Sequence, residues 1–258
     1  MSNSLLIGVL GIQGAVSEHI SMVTQLGHAG KLVKYPKDFD DLDGLILPGG
    51  ESTTMAIVCE ECGLFPALRQ WVHSKRPTYG TCAGMILLSD HAIKTADGGQ
   101  SLVGGLDVHV CRNFFGSQIY STTVEVKPSS CAAALVGVED KQTFPAVFIR
   151  APAILKVGPQ VEVLATISAL PHRNARRDVL QLLGQDPEEE QAGGIRRCEN
   201  PSEQFDVIIA VRQGHILATA FHPELTKDLR WHAAFLKICQ QQQLASIETK
   251  VSEGRVAE

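Results

Sequence analysis

Residues 78–89 read TYGTCAGMILLS, a short extended run that passes through two glycines and a cysteine into an unbroken apolar stretch. Thr78 to Thr81 is strand-length, and Met85, Ile86, Leu87 and Leu88 read as a buried helix. Between them Gly80, Thr81, Cys82, Ala83 and Gly84 form G-x-C-x-G, the thiol counterpart of the strand-to-helix nucleophile elbow. Side chains at the two glycines would crowd such a turn. A helix N-terminus beyond Cys82 favours the thiolate through its partial positive charge. The pentapeptide alone is ambiguous, because cysteine is also a small hydrophobe that cores bury freely.

Strand, glycine loop and helix recur on the N-terminal side. LLIGVL (5–10) is apolar enough for a buried strand, GIQG follows, and Val16, Ile20, Val23 and Leu26 keep helical spacing. Gly44 to Leu47 is a second strand, broken by Pro48, Gly49 and Gly50, after which Ser52 or Thr53 caps a helix running toward Cys62. Another helix spans about Phe65 to Ser74. This alternation predicts right-handed crossovers and an α/β three-layer sandwich, a central, mostly parallel sheet flanked by helices.

Farther on, LDVHVCRNF, IYSTTVEV, PAVFIRAP and EVLATIS read as strands, and FDVIIAVRQGHILATAFHPE as two strands joined around Gln213 and Gly214. Residues 171–204 are polar and charged, with little beyond Val179 to Leu183 that could be buried; they read as a surface insertion holding a helical turn or two. Thr226 caps a last helix through about Gln243, with Leu229, Ala233, Leu236 and Cys239 near one face. Residues 1–244 are therefore expected to form one domain with an insertion, and 245–258 a loose polar tail.

The net charge of −5 gives no basic field for nucleic acid or anionic membrane, and hydrophobic residues at 44% against 20% charged suit a globular interior. No window approaches the roughly 18 apolar residues of a membrane span. Seven cysteines without a framework spacing fit a reducing, cytoplasmic setting. Cys59 and Cys62 form a lone CxxC with no second pair to complete a zinc site, so two unrelated helix positions are the better reading. Neither a metal nor a cofactor is expected.

A thiol nucleophile needs a base. Of nine histidines the most suggestive is His222, which ends an extended run in the triplet His222, Pro223, Glu224. A carboxylate two residues away can hold one ring nitrogen and leave the other for the sulfur. Taken alone the triplet is an ordinary turn. In PGGEST (48–53), backbone N–H groups at the break can point at a developing oxyanion, with Gly50 and Ala83 as the candidate donors. No lysine follows those glycines to make a P-loop, and GVLGIQG misses the dinucleotide spacing. All three elements fall at the C-terminal ends of predicted strands, the edge where open α/β sheets put their sites.

Together these motifs resemble the class I (triad-type) glutamine amidotransferases, a flavodoxin-like fold, and more narrowly the glutaminase subunits of pyridoxal 5′-phosphate synthases. The resemblance rests on GVLGIQGAVSEH (8–19), LILPGGESTTM (45–55), GTCAGMILL (80–88), GLDVHVCRNFFGSQ (105–118), FIRAP (148–152) and AFHPE (220–224). It implies hydrolysis of L-glutamine to glutamate and ammonia, with ammonia passed to a (β/α)8 synthase subunit. By motif position Cys82 is then the nucleophile, His222 the base and later the acid, and Glu224 the residue that orients the ring. Gly49, Gly50, Glu51, Arg112, Ile149 and Arg150 fall where the family binds glutamine, and Gln13 to His19 where it docks its partner. Cationic groups and amides suit the α-carboxylate of glutamine, and an acceptor such as Glu51 its ammonium. A glutaminase serving another acceptor enzyme, or a catalytically idle partner of the synthase, are the alternatives.

Overall fold

The apolar run at the N-terminus forms β1 (Leu6–Leu10), in which every residue after the first is buried. The computed structural model describes residues 4–93, 100–115, 122–137, 142–182 and 205–255. After β1 come α1 (Val16–Gln25), β2 (Ala29–Val33), β3 (Gly44–Leu47), α2 (Ser52–Glu61), α3 (Leu64–His73), β4 (Thr78–Thr81) and α4 (Ala83–Leu88). Then follow β5 (Ser89–Ile93), β6 (Leu106–Cys111), β7 (Thr122–Val126), α5 (Ser130–Val136), β8 (Phe144–Phe148), β9 (Ala153–Val157) and β10 (Glu162–Ala169). The chain closes with α6 (Arg173–Leu182), β11 (Phe205–Gln213), β12 (Ile216–Thr219) and α7 (Arg230–Arg255).

Among the described residues the main sheet runs β2-β1-β3-β4-β12-β11-β9-β6-β5, with β10 added to β11, and β7 pairs with β8 in a separate ribbon. From β2 to β12 every pairing is parallel. The pairings β12 to β11, β11 to β9 and β9 to β6 are antiparallel, and β6 to β5 is parallel again. Because β1, β3, β4 and β12 run the same way, their C-terminal ends meet along one edge of the sheet. Strands β3, β4 and β12 are buried throughout, as expected where helices cover both faces. This is the mixed α/β architecture that the alternation predicts.

Several elements depart from the expected pattern. Strand β2 is an edge strand with one buried residue, and its AGKLV carries no alternation to betray it. Strands β5 and β9 and helix α5 are likewise additional. Helix α2 is capped by Glu51, one residue earlier than Ser52: its carboxylate accepts Thr54 N at 2.7 Å and Thr53 N at 3.4 Å. Thr226 ends the short 3-10 turn Pro223–Leu225, while Asp228 Oδ1 accepts the Arg230 amide at 3.0 Å at the start of α7.

Helix α7 continues to Arg255, so the expected tail from residue 245 begins inside it. The insertion opens not with a turn or two but with the ten-residue α6, whose Ala175 and Val179 are buried in the core. Its remainder, 183–204, lies outside the described residues. None of the described helices is long and apolar enough to cross a membrane. Of the CxxC pair, Cys59 is a core residue whose thiol burial pushes up to about 12, whereas Cys62 is exposed.

Candidate active site

Strand β4 delivers the chain into Cys82 at φ 47°, ψ −102°, a left-handed conformation that a side chain occupies at a cost of about 1–3 kcal/mol. Backbone bonds over-determine it. Cys82 N donates to Thr219 O at 2.8 Å on the neighbouring β12, and Cys82 O accepts Ile86 N at 3.2 Å in α4. Close packing explains the glycine after it: a Cβ on Gly84 would sit 1.9 Å from the Leu47 carbonyl oxygen of β3. The elbow is thus wedged between two parallel strands, and Cys82 is only 6% exposed.

His222 leaves the end of β12 and is held by its amide, which donates to Val147 O of β8 at 2.9 Å. Its ring Nδ1 lies 2.7 Å from Glu224 Oε1, and the ring shares one cavity wall with Cys82, whose sulfur is near enough to raise the ring's pKa. Both residues are buried, His222 at 8% and Glu224 at 4% exposure. Burial pulls the His222 pKa down, but the neighbouring Cys82 sulfur and the Glu224 carboxylate outweigh it, raising it from 6.5 to about 10. The fold thus brings the Cys82 thiol onto the same cavity as an imidazole 140 residues away in sequence, which Glu224 holds from behind. Geometry of this kind supports proton transfer from sulfur to ring, with the carboxylate fixing the ring's tautomer.

The thiol and the imidazole open into a cavity of about 190 Å³ lined also by Gly50, Glu51, Arg112, Ile149 and Arg150. Five of the six residues expected to bind glutamine therefore share it. Gly49 stands behind them, against the His222 ring. Gly50 contributes to the wall, and Ala83, buried at 1%, begins α4, where the first amides have no intrahelical acceptor. Glu51 spends both carboxylate oxygens on the α2 cap. Burial raises its pKa, yet the Thr54 and Thr53 hydrogen bonds leave it below the ordinary value. Arg112 Nη2 donates to Ser52 Oγ at 3.0 Å and Thr53 Oγ1 at 2.7 Å, so hydroxyls rather than an ion pair hold its guanidinium. Arg150 repeats the left-handed strain of Cys82, with φ 47°.

Ser52, Ile86 and Asn113 also line the cavity and were not anticipated from the sequence, although each adjoins a motif that was. Gly116, Ser117 and Gln118 of the RNFFGSQ stretch lie outside the described residues. Of the expected docking stretch, Gln13 is exposed and its Oε1 accepts Glu51 N at 3.1 Å. His19 is fully buried and cannot belong to a surface. No group of three or more His, Cys, Asp or Glu side chains suited to a metal occurs among the described residues.

Comparison with known proteins identifies the family. Residues 9–177 match the model of the SNO glutamine amidotransferase family. The chain is 44% identical over 235 residues to the probable pyridoxal 5′-phosphate synthase subunit PDX2 of Arabidopsis thaliana, covering 91% of this chain and 86% of the relative. It is 36% identical over 237 residues to pyridoxal 5′-phosphate synthase subunit PdxT of Bacillus licheniformis, covering 92% and 96%. A crystal structure of a glutamine amidotransferase superposes with a TM-score of 0.67 at 32% identity, covering 90% of this chain and 98% of the other. An elbow cysteine facing a histidine–glutamate pair at the edge of a mostly parallel sheet, and a family match over well more than half the sequence, lead to one conclusion: the chain belongs to the SNO glutamine amidotransferase family.

Proposed function

We propose that the protein hydrolyses the side-chain amide of L-glutamine and hands the ammonia to a pyridoxal 5′-phosphate synthase partner. The observation that carries this reading is the contact of His222 with Cys82 on one side and Glu224 on the other, at the mouth of a cavity of about 190 Å³. Relatives named as subunits of pyridoxal 5′-phosphate synthase support the choice of acceptor.

Cys82 Sγ attacks the carboxamide carbon, and the carbonyl oxygen becomes an oxyanion received by the Gly50 and Ala83 amides. His222, carrying the thiol proton, delivers it to the departing nitrogen as the C–N bond breaks, releasing ammonia and leaving a thioester. It then takes a proton from water, whose oxygen attacks the thioester to release glutamate, and returns that proton to sulfur. Glu224 holds Nδ1–H throughout. Arg112 and Arg150 are the cations for the substrate α-carboxylate, and the Gly49–Gly50–Glu51 segment and Ile149 shape the pocket around it.

Ammonia protonates in bulk water, so transfer needs a dry path into the acceptor. A (β/α)8 synthase subunit docked over this edge of the sheet supplies one. The test is ammonia release from glutamine, by the chain alone and with its synthase. The expected result is turnover in the complex, abolished in Cys82→Ser without loss of fold or of synthase binding. Turnover by the folded Cys82→Ser complex at the wild-type rate would refute the assignment.

A further inference from the structure

Glu224 gives Oε1 to His222, whereas its other oxygen, Oε2, is buried with no hydrogen-bond partner among the described residues. A half-paired buried carboxylate carries a desolvation cost and is free to turn away from the ring it should orient. Facing Oε2 is His19 of α1, with Nε2 3.6 Å from it and 3.2 Å from Thr81 Oγ1, next to Cys82 in the chain. On its far side His19 Nδ1 lies 2.9 Å from His232 Nε2 of α7. Both histidines are 0% exposed. The buried Tyr79 phenol, which also feels the Glu224 charge, is engaged with Thr219 Oγ1 at 3.3 Å.

The contacts assign the tautomers. Burial lowers the pKa of both His19 and His232, so each ring carries one proton. A proton on His19 Nδ1 would aim the bare Nε2 lone pair at a carboxylate oxygen. It would also leave His232 with an N–H at Nδ1, an atom that has no partner among the described residues. With protons on both Nε2 atoms, His232 donates to His19, and His19 presents N–H between Thr81 Oγ1 and Glu224 Oε2. Only a ring lone pair at His232 Nδ1 stays unpaired, the smaller cost.

We propose that His19 is a positioning residue of the triad: its Nε2–H, fixed by His232, restrains the free oxygen of Glu224 so that the other stays on His222. A shift of roughly 0.6 Å brings Nε2 and Oε2 to hydrogen-bond distance, and such contacts tighten when substrate is bound. The kinetic part of this inference rests on the glutaminase reading; the tautomer assignment does not.

The test has two arms. In the full chain labelled with ¹⁵N-histidine, long-range ¹⁵N–¹H correlation at pH 7 is expected to give His19 and His232 as neutral Nε2–H tautomers. His19 as the Nδ1–H tautomer, or as imidazolium, overturns the proposal. In the complex with the synthase, His19→Leu and His19→Asn are expected to lower kcat by roughly 10-fold or more, with KM for glutamine within about 2-fold. They should also lower the apparent pKa of the ring in the kcat–pH profile, because the Glu224 bond that raises it is loosened. His19→Gln, whose amide nitrogen overlies Nε2, should recover most of the loss. A folded Leu variant with wild-type kcat and pH profile, or a Gln variant as impaired as Leu, overturns it. Should His19 variants fail to fold, His232→Leu, which removes the donor to His19 Nδ1, is expected to produce the same pH-profile shift in smaller degree, and an unchanged profile in the folded variant counts against the proposal. A wild-type complex that releases no ammonia would refute the functional reading and leave the tautomer arm decisive.

Discussion

Gly49 has no side chain because the His222 ring occupies the space: a Cβ there would lie 2.3 Å from Cε1 and 2.8 Å from Nδ1. The loop after β3 can therefore press its backbone against the imidazole that Glu224 holds from the other side. Glu224 acts only through that ring, whereas His222 moves the protons, so their losses should differ. His222→Ala is expected to lower kcat roughly 10⁴-fold, and Glu224→Gln by roughly 10- to 100-fold less, in steady-state ammonia release. Equal losses would contradict these roles. His222 and Glu224 were legible because they are two residues apart in one motif. His19 was not, since its partners His232 and Thr81 stand 213 and 62 positions away and no local pattern links them.

The elbow depends on how closely α4 approaches β3. In Gly84→Ala the new methyl would collide with the Leu47 carbonyl, a backbone atom that cannot swing aside, so strand or helix must move. The expected cost is about 1–3 kcal/mol or more, seen as a lower Tm, together with turnover reduced beyond what the unfolded fraction explains. Unchanged Tm and turnover would show that the turn tolerates a side chain. Elements that bury a full apolar face, such as β1, β3 and α3, are evident in the sequence because hydrophobic spacing reports burial directly. Strand β2, at the sheet's edge, hides because its AGKLV is largely exposed and is recruited by hydrogen bonds to β1 rather than by its own side chains. Helix α5 is likewise missed: seven residues long, it depends on the Ser129 hydroxyl accepting Ala132 N at 3.2 Å.

Over the whole molecule, buried histidines set how stability varies with pH. His232, forced neutral by burial, falls from 6.5 to about 4, and His19 shifts in the same direction. Above pH 6.5 both are neutral whether folded or not. Below it the unfolded chain binds protons that the folded chain refuses, so stability falls between pH 6.5 and about 4, by on the order of 3 kcal/mol from His232. His222 has the opposite sign: raised to about 10, it contributes stability that is complete below pH 6.5 and is lost as pH climbs toward 10. Thermal melts across pH 4–10 should therefore peak near neutrality, with the acid slope shallower in His232→Gln. A slope that does not change in that variant would remove His232 from the account.

By itself the sequence determined the alternation of strand and helix, a glycine-flanked turn at Cys82, and the closeness in chain of an imidazole and a carboxylate at His222 and Glu224. Those are short-range matters, governed by hydrophobic period, glycine sterics and the reach of neighbouring side chains. Only the tertiary structure decided that four parallel strands end together, that Cys82 meets His222, and that α1 and α7 close a buried histidine pair behind the carboxylate. Such contacts come from sheet order and from packing between segments as many as 213 residues apart, and no local window of residues carries that information.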